Sequence, residues 1–189
     1  KLKQYDQVEE KYLKSLELSD EKCIDVLNNY GIFQSNLSNY DQAVSWYDKG
    51  LKMYPMDNSM IKNKALALSN QKKYDEAIVW WNKSLKIEPN VVNVMTDKAT
   101  TLAALKKYEE AIVCYDDALK IEPKYVVALS NKGNVLNNLG RHDEAIVWHD
   151  KALAIDPQLV FSLNRKGVSL VDLGRHDEAI VCYDKALAI

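Results

Sequence analysis

The chain has 189 residues, with 25 basic against 27 acidic side chains and a formal charge of −2. That balance argues against a general nucleic-acid binder, which carries a basic excess, while 47% hydrophobic and 28% charged residues exclude global disorder. No apolar run reaches the ~18 residues a membrane span needs, residues 1–23 carry charges too scattered for a signal peptide, and three cysteines without a CxxC pair suit a reducing, cytoplasmic compartment.

The frame comes from Pro55, Pro89, Pro123 and Pro157, each 34 residues after the last. A fixed period of this size means stacked copies of one supersecondary unit. With proline at position 32, the predicted repeats are 24–57, 58–91, 92–125, 126–159 and 160–189, the last one truncated. Ahead of them, Tyr5, Val8, Tyr12, Ser15, Leu16 and Leu18 stand 35 residues before Tyr40, Ala43, Tyr47, Gly50, Leu51 and Met53, so 1–23 reads as the second helix of a preceding half repeat. The chain is therefore expected to be a segment of a longer array, or to have its ends covered by another chain.

Within each repeat the period is helical. Positions 4, 7, 8 and 11, such as Leu129, Lys132, Gly133 and Leu136, form one stripe, and Tyr108, Ala111, Ile112, Tyr115, Ala118 and Leu119 form a second. Lys64, Lys98, Lys132 and Lys166 at position 7 are expected to lay their aliphatic stems along the first stripe. Small residues recur at position 8 (Gly31, Ala65, Ala99, Gly133, Gly167) and at position 20 (Ala43, Ala77, Ala111, Ala145, Ala179). A bulky residue recurs at position 24: Tyr47, Trp81, Tyr115, His149 and Tyr183. Small residues let two helices approach closely and the bulky one fills the space between them. Gly140 and Gly174 suit a left-handed helix C-cap between the stripes, and Asp143 and Asp177 suit the helix start that follows. Each unit is predicted to be an antiparallel helix hairpin.

This pattern resembles the tetratricopeptide repeat, most closely in NKGNVLNNLGRHDEAIVWHDKALAIDP (131–157) and NRKGVSLVDLGRHDEAIVCYDKALAI (164–189). It departs from the family at position 4, which holds Leu, Ile or Met, and at Ser38, Lys72 and Lys106, which replace the turn glycine. At those three turns the sequence does not by itself specify the left-handed geometry. The resemblance implies an all-α, right-handed superhelical solenoid whose first helices line a concave groove. It also implies a protein- or peptide-binding scaffold, with no catalytic residues, no cofactor and no metal. The alternatives are a substrate-docking arm of a larger enzyme and a structural array that self-associates end to end.

Carried onto this chain, the groove positions give Asn28, Asn29, Lys62, Asn63, Asn93, Thr96, Asn131, Asn134, Asn138, Asn164 and Arg165 as candidate contacts for an extended peptide. A carboxamide both donates and accepts hydrogen bonds, so a row of them can hold a peptide main chain. The same asparagines could equally serve packing between repeats. The family's clamp for acidic chaperone tails is not supplied: Lys62 is followed by Leu66 and Asp97, while Asn131 and Arg165 come with Thr96, Thr100 and Phe161. In the fifth repeat Phe161, Val168 and Val171 offer either an anchor for a ligand side chain or a face for a following repeat. His142, His149 and His176, the Trp and Cys row at position 23, and the basic edge at Lys72, Lys106, Arg141 and Arg175 are read as packing or solvated residues.

Overall fold

The structure is a computed structural model describing Lys11, Lys14 and residues 23–189; the half repeat expected over 1–23 lies almost entirely outside the described residues. Among those residues there are ten helices and no strand: α1 Cys23–Asn36, α2 Tyr40–Met53, α3 Asn58–Asn70, α4 Tyr74–Ile87, α5 Val92–Ala104, α6 Tyr108–Ile121, α7 Val126–Asn138, α8 His142–Ile155, α9 Val160–Asp172 and α10 His176–Leu187. They fall into two compact units, Lys1–Pro89 and Asn90–Ile189. In the first, α1 packs on α2, α2 on α3, α3 on α4, and α1 lies alongside α3. In the second, hairpins α5–α6, α7–α8 and α9–α10 stack through α6 on α7 and α8 on α9, with α5, α7 and α9 side by side.

The turn inside each hairpin has one geometry. Ser38, Lys72, Lys106, Gly140 and Gly174 all have φ between 60° and 74°. Behind each, the next N–H reaches the carbonyl five residues back: Asn39 to Gln34, Lys73 to Leu68, Lys107 to Leu102, Arg141 to Leu136 and Arg175 to Leu170, at 2.8–3.0 Å. This is the Schellman closure, which satisfies carbonyls left open at a helix end. Three non-glycine residues therefore adopt the left-handed turn that their sequence did not specify. The hydrogen bonds outweigh a steric cost of about 1–2 kcal/mol at each. The second helices then begin with acids in the first turn, Asp75 and Glu76 in α4 and Asp143 and Glu144 in α8, which oppose the positive end of the helix dipole.

The two helices of a hairpin meet through the small and bulky positions. A Cβ placed on Gly133 would lie 2.9 Å from the His149 ring, and Gly31 and Gly167 face the rings of Tyr47 and Tyr183 in the same way. Ala43, Ala77, Ala111, Ala145 and Ala179 are all buried beside these rings' helices. Between hairpins the close approach repeats, with Gly50 against the thioether of Met60.

The position-7 lysines make the junctions polar as well as apolar. Lys64 and Lys132 are buried, each paired with an acid of the preceding hairpin, Asp48 and Asp116 respectively; Lys166 pairs with Asp150 at 2.6 Å. The ammonium of Lys64 also lies 3.9 Å from the Trp80 ring centroid, and that of Lys132 lies 3.8 Å from Trp148. Lys83 and Lys151 attend the same two rings. The stems thus lie along the seam as expected, and the charge ends between a carboxylate and an indole face.

Two outcomes are expected. Replacing Lys106 with glycine relieves the left-handed strain and raises stability by about 0.5–1 kcal/mol, read as a higher urea midpoint; a lower midpoint contradicts the strain assignment. Asp116→Ala strands a buried ammonium and costs about 2–4 kcal/mol, whereas Lys132→Met costs less than about 1 kcal/mol. Equal losses in the two variants would show that the pair contributes no more than its volume.

Candidate functional site

The first helices carry the predicted groove residues, and the structure sorts them. In the first unit the Asn63 carboxamide donates to Asn28 Oδ1 at 2.9 Å, Asn29 is exposed and Lys62 is partly buried. In the second unit Asn131, Asn134 and Asn138 on α7 face Thr100, Ala103 and Ala104 on α5 across a cleft of about 240 Å³. Val135 and Tyr115 complete its lining. The Tyr115 hydroxyl stands 3.0 Å from Thr100 Oγ1, and Asn131 Nδ2 donates to the same oxygen at 3.5 Å. Neither Asn134 nor Asn138 makes a side-chain hydrogen bond within the described residues.

Thr96 requires a correction. It is 2% exposed and its hydroxyl donates to the Val92 carbonyl, so it offers nothing to a ligand. Ser130, its counterpart one repeat later, is buried too. In these two repeats the position turns into the packing between neighbouring first helices instead of outward. Asn93 is exposed and its side-chain oxygen accepts from the Val94 N–H. Asn164 and Arg165 are exposed but line a different part of α9, with the Arg165 guanidinium 5.5 Å from the Phe161 ring centroid. Asn137 is committed to packing: it donates to the Arg165 carbonyl at 3.1 Å and accepts from Ser169 Oγ at 2.5 Å.

Tyr115 is the residue that sequence reasoning missed. Its place at position 24 marks it as filler between helices, and its ring is indeed buried. A tyrosine is nevertheless long enough to carry its hydroxyl through to the groove side, and that length was the available signal.

Burial governs the unusual ionisations. The Asp97 carboxyl is pushed up to about 6 by desolvation. Tyr115 is pushed up to about 12, again mainly by burial. His149 is fully buried and its pKa is lowered to about 4 by desolvation, with Nδ1 3.4 Å from Ser162 Oγ and Nε2 without a hydrogen-bond partner. Burial raises the thiol pKa of Cys114 and Cys182, which are both free, so neither is an activated nucleophile. His142 Nδ1 lies 3.6 Å from Asp172 Oδ2. At the hairpin turns Arg141 and Arg175 each form a two-pronged pair with Glu144 and Glu178, which neutralises much of the basic edge in the second unit. Among the described residues no group of three His, Cys, Asp or Glu side chains has metal-binding geometry, and no helix is long and apolar enough to cross a membrane.

Against known proteins, a tetratricopeptide-repeat model matches residues 125–189, a TPR-repeat model matches 100–140, and a model of anaphase-promoting complex (cyclosome) subunit 3 matches 36–118. No curated protein matches the sequence. Among solved structures, the chain is similar to MamA from Desulfovibrio magneticus RS-1 at 19% identity and a TM-score of 0.79, over 87% of this chain and 93% of that one. It is similar to MamA AMB-1 at 26% identity and a TM-score of 0.71, over 85% and 95%. It is also similar to YrrB, titled a TPR protein with an unusual peptide-binding site, at 20% identity and a TM-score of 0.70, over 94% and 91%.

Asp97 and His149 give pH dependences of opposite sign. His149 binds its proton more weakly folded than unfolded, about 4 against 6.5, so its contribution to stability is complete above pH 6.5 and is lost as pH falls towards 4. Asp97 binds its proton more tightly folded, about 6 against 3.8, so its contribution is complete below 3.8 and is lost as pH rises through 6. Asp97→Asn is therefore expected to raise the melting temperature more at pH 7 than at pH 4.5. His149→Tyr, which restores the residue facing Gly31 and Gly167, should raise it more at pH 4.5 than at pH 7. Melting curves at the two pH values check this, and parallel shifts would contradict it.

Proposed function

Since the chain belongs to the tetratricopeptide-repeat family, we propose that it is a protein-interaction scaffold that holds an extended peptide along the first helices of its second unit. The repeats run as read from the prolines, 24–57 through 160–189, and the array carries no catalysis of its own. It works in a reducing, cytoplasmic setting, takes neither nucleic acid nor membrane, and finds its partner through the groove.

The observation that carries this reading is the cleft between α5 and α7. Two carboxamides on its rim, Asn134 and Asn138, have donors and acceptors left over, which is the inventory an extended main chain needs. Ala103 and Ala104 leave room for the chain to approach, and the buried Tyr115 ring fixes the floor. Because stacked helices hold these groups in place beforehand, binding orders few side chains. The similarity to a YrrB structure titled for its peptide-binding site supports the same class of partner.

The test starts with decapeptides selected against the full chain from a random displayed library. Replacing Asn131, Asn134 and Asn138 together with alanine should weaken their binding at least tenfold, on the scale of about 1 kcal/mol per lost hydrogen bond, with the circular dichroism spectrum unchanged. Undiminished affinity by titration would remove the groove from the account.

A further inference from the structure

Position 6 of the five repeats reads Asn29, Asn63, Asp97, Asn131 and Arg165, so the second unit has one acid where its neighbours carry an amide or a cation. Asp97 and Thr100 stand three residues apart on one face of α5, and Thr100 lines the cleft. The lining itself contains no charged side chain. Asp97 is partly buried, and its carboxylate makes no hydrogen bond or ion pair among the described residues; only its backbone carbonyl is engaged, by Thr101. Contrast the other partly buried acids: Asp48, Asp116 and Asp117 each have a lysine, and the Asp57 carboxylate accepts from the Met60 N–H.

A half-buried carboxylate with no cation beside it is costly in the free protein. Its raised pKa has burial as its cause, with no basic side chain offsetting it, and its field reaches the hydroxyls of Tyr115 and Tyr125, neither of which compensates it. The groove therefore carries negative charge at one end of a neutral, amide-rimmed cleft.

We propose that this groove selects peptides with a lysine or arginine side chain, whose cation docks on Asp97 while the adjoining main chain runs over Asn131, Asn134 and Asn138. This deepens, and rests on, the scaffold reading above. A single carboxylate suits one cationic side chain and does not suit a metal ion, which needs several ligands. Docking the cation would convert an uncompensated charge into an ion pair shielded by the groove wall.

The experiment screens a synthetic library of random decapeptides, acetylated and amidated at their ends so that only side chains carry charge, against the full chain. Binders are expected to contain lysine or arginine, and changing that residue to norleucine should weaken binding at least tenfold on the unaltered protein. Asp97→Asn, which installs the residue found at this position in three other repeats, should bind both versions alike. Asp97→Lys should reject the basic version. Affinity for the basic peptide should also fall as the pH drops well below 6 and the carboxylate takes up its proton. Neutral or acidic binders that still depend on Asn131, Asn134 and Asn138 would overturn the role of Asp97 while sparing the groove. Binders indifferent to those asparagines, or no binders at all, would overturn the scaffold reading beneath it.

Discussion

The contact between a small residue at position 8 and a ring at position 24 is the constraint on which the rest of this fold depends. Gly133 and the His149 ring, Gly31 and Tyr47, and Gly167 and Tyr183 leave no room for a Cβ between the helices. In those three hairpins the two helices are thereby held in close approach. Each hairpin still exposes apolar stripes that only a neighbour can cover, which is why the units stack. Within the second unit that stacking sets α5, α7 and α9 side by side, and the cleft is the space left between two of them.

Charge is distributed by the same architecture. The junctions take up lysines inside the protein by offering each a carboxylate and, at Lys64 and Lys132, an indole face. The outer turns pair arginine with glutamate. The cleft side is left to amides, hydroxyls and the solitary Asp97. A net charge of −2 thus hides three different surfaces, and the near-neutral total says little about what any one of them attracts.

Much of this was legible because the repeat period is read directly from Pro55, Pro89, Pro123 and Pro157, and because helix stripes follow from the spacing of apolar residues. The all-α hairpins follow from those two signals. The turns at Ser38, Lys72 and Lys106 were not, since a left-handed residue that is not glycine is held by long-range closure of the helix end and leaves no mark in composition. Thr96 was misplaced for a related reason. A helical wheel places position 5 on the outer face, but adjoining first helices lie close enough to bury both Thr96 and Ser130. Tyr115 was assigned to packing because a wheel records where a side chain starts, not how far its hydroxyl reaches. Asn137 and Asn134 show the same limit: they differ by less than one turn, yet one is tied to Arg165 and Ser169 and the other is open.

The central claim, that the cleft between α5 and α7 is where a partner's chain is held, is tested most directly by nuclear magnetic resonance of the asparagine side-chain amides as a selected peptide is added. The account predicts that the carboxamide signals of Asn131, Asn134 and Asn138 shift together and saturate with one peptide per chain. Shifts confined to the exposed row of Val113, Val147 and Val181 on the second helices, with those carboxamides unmoved, would contradict it.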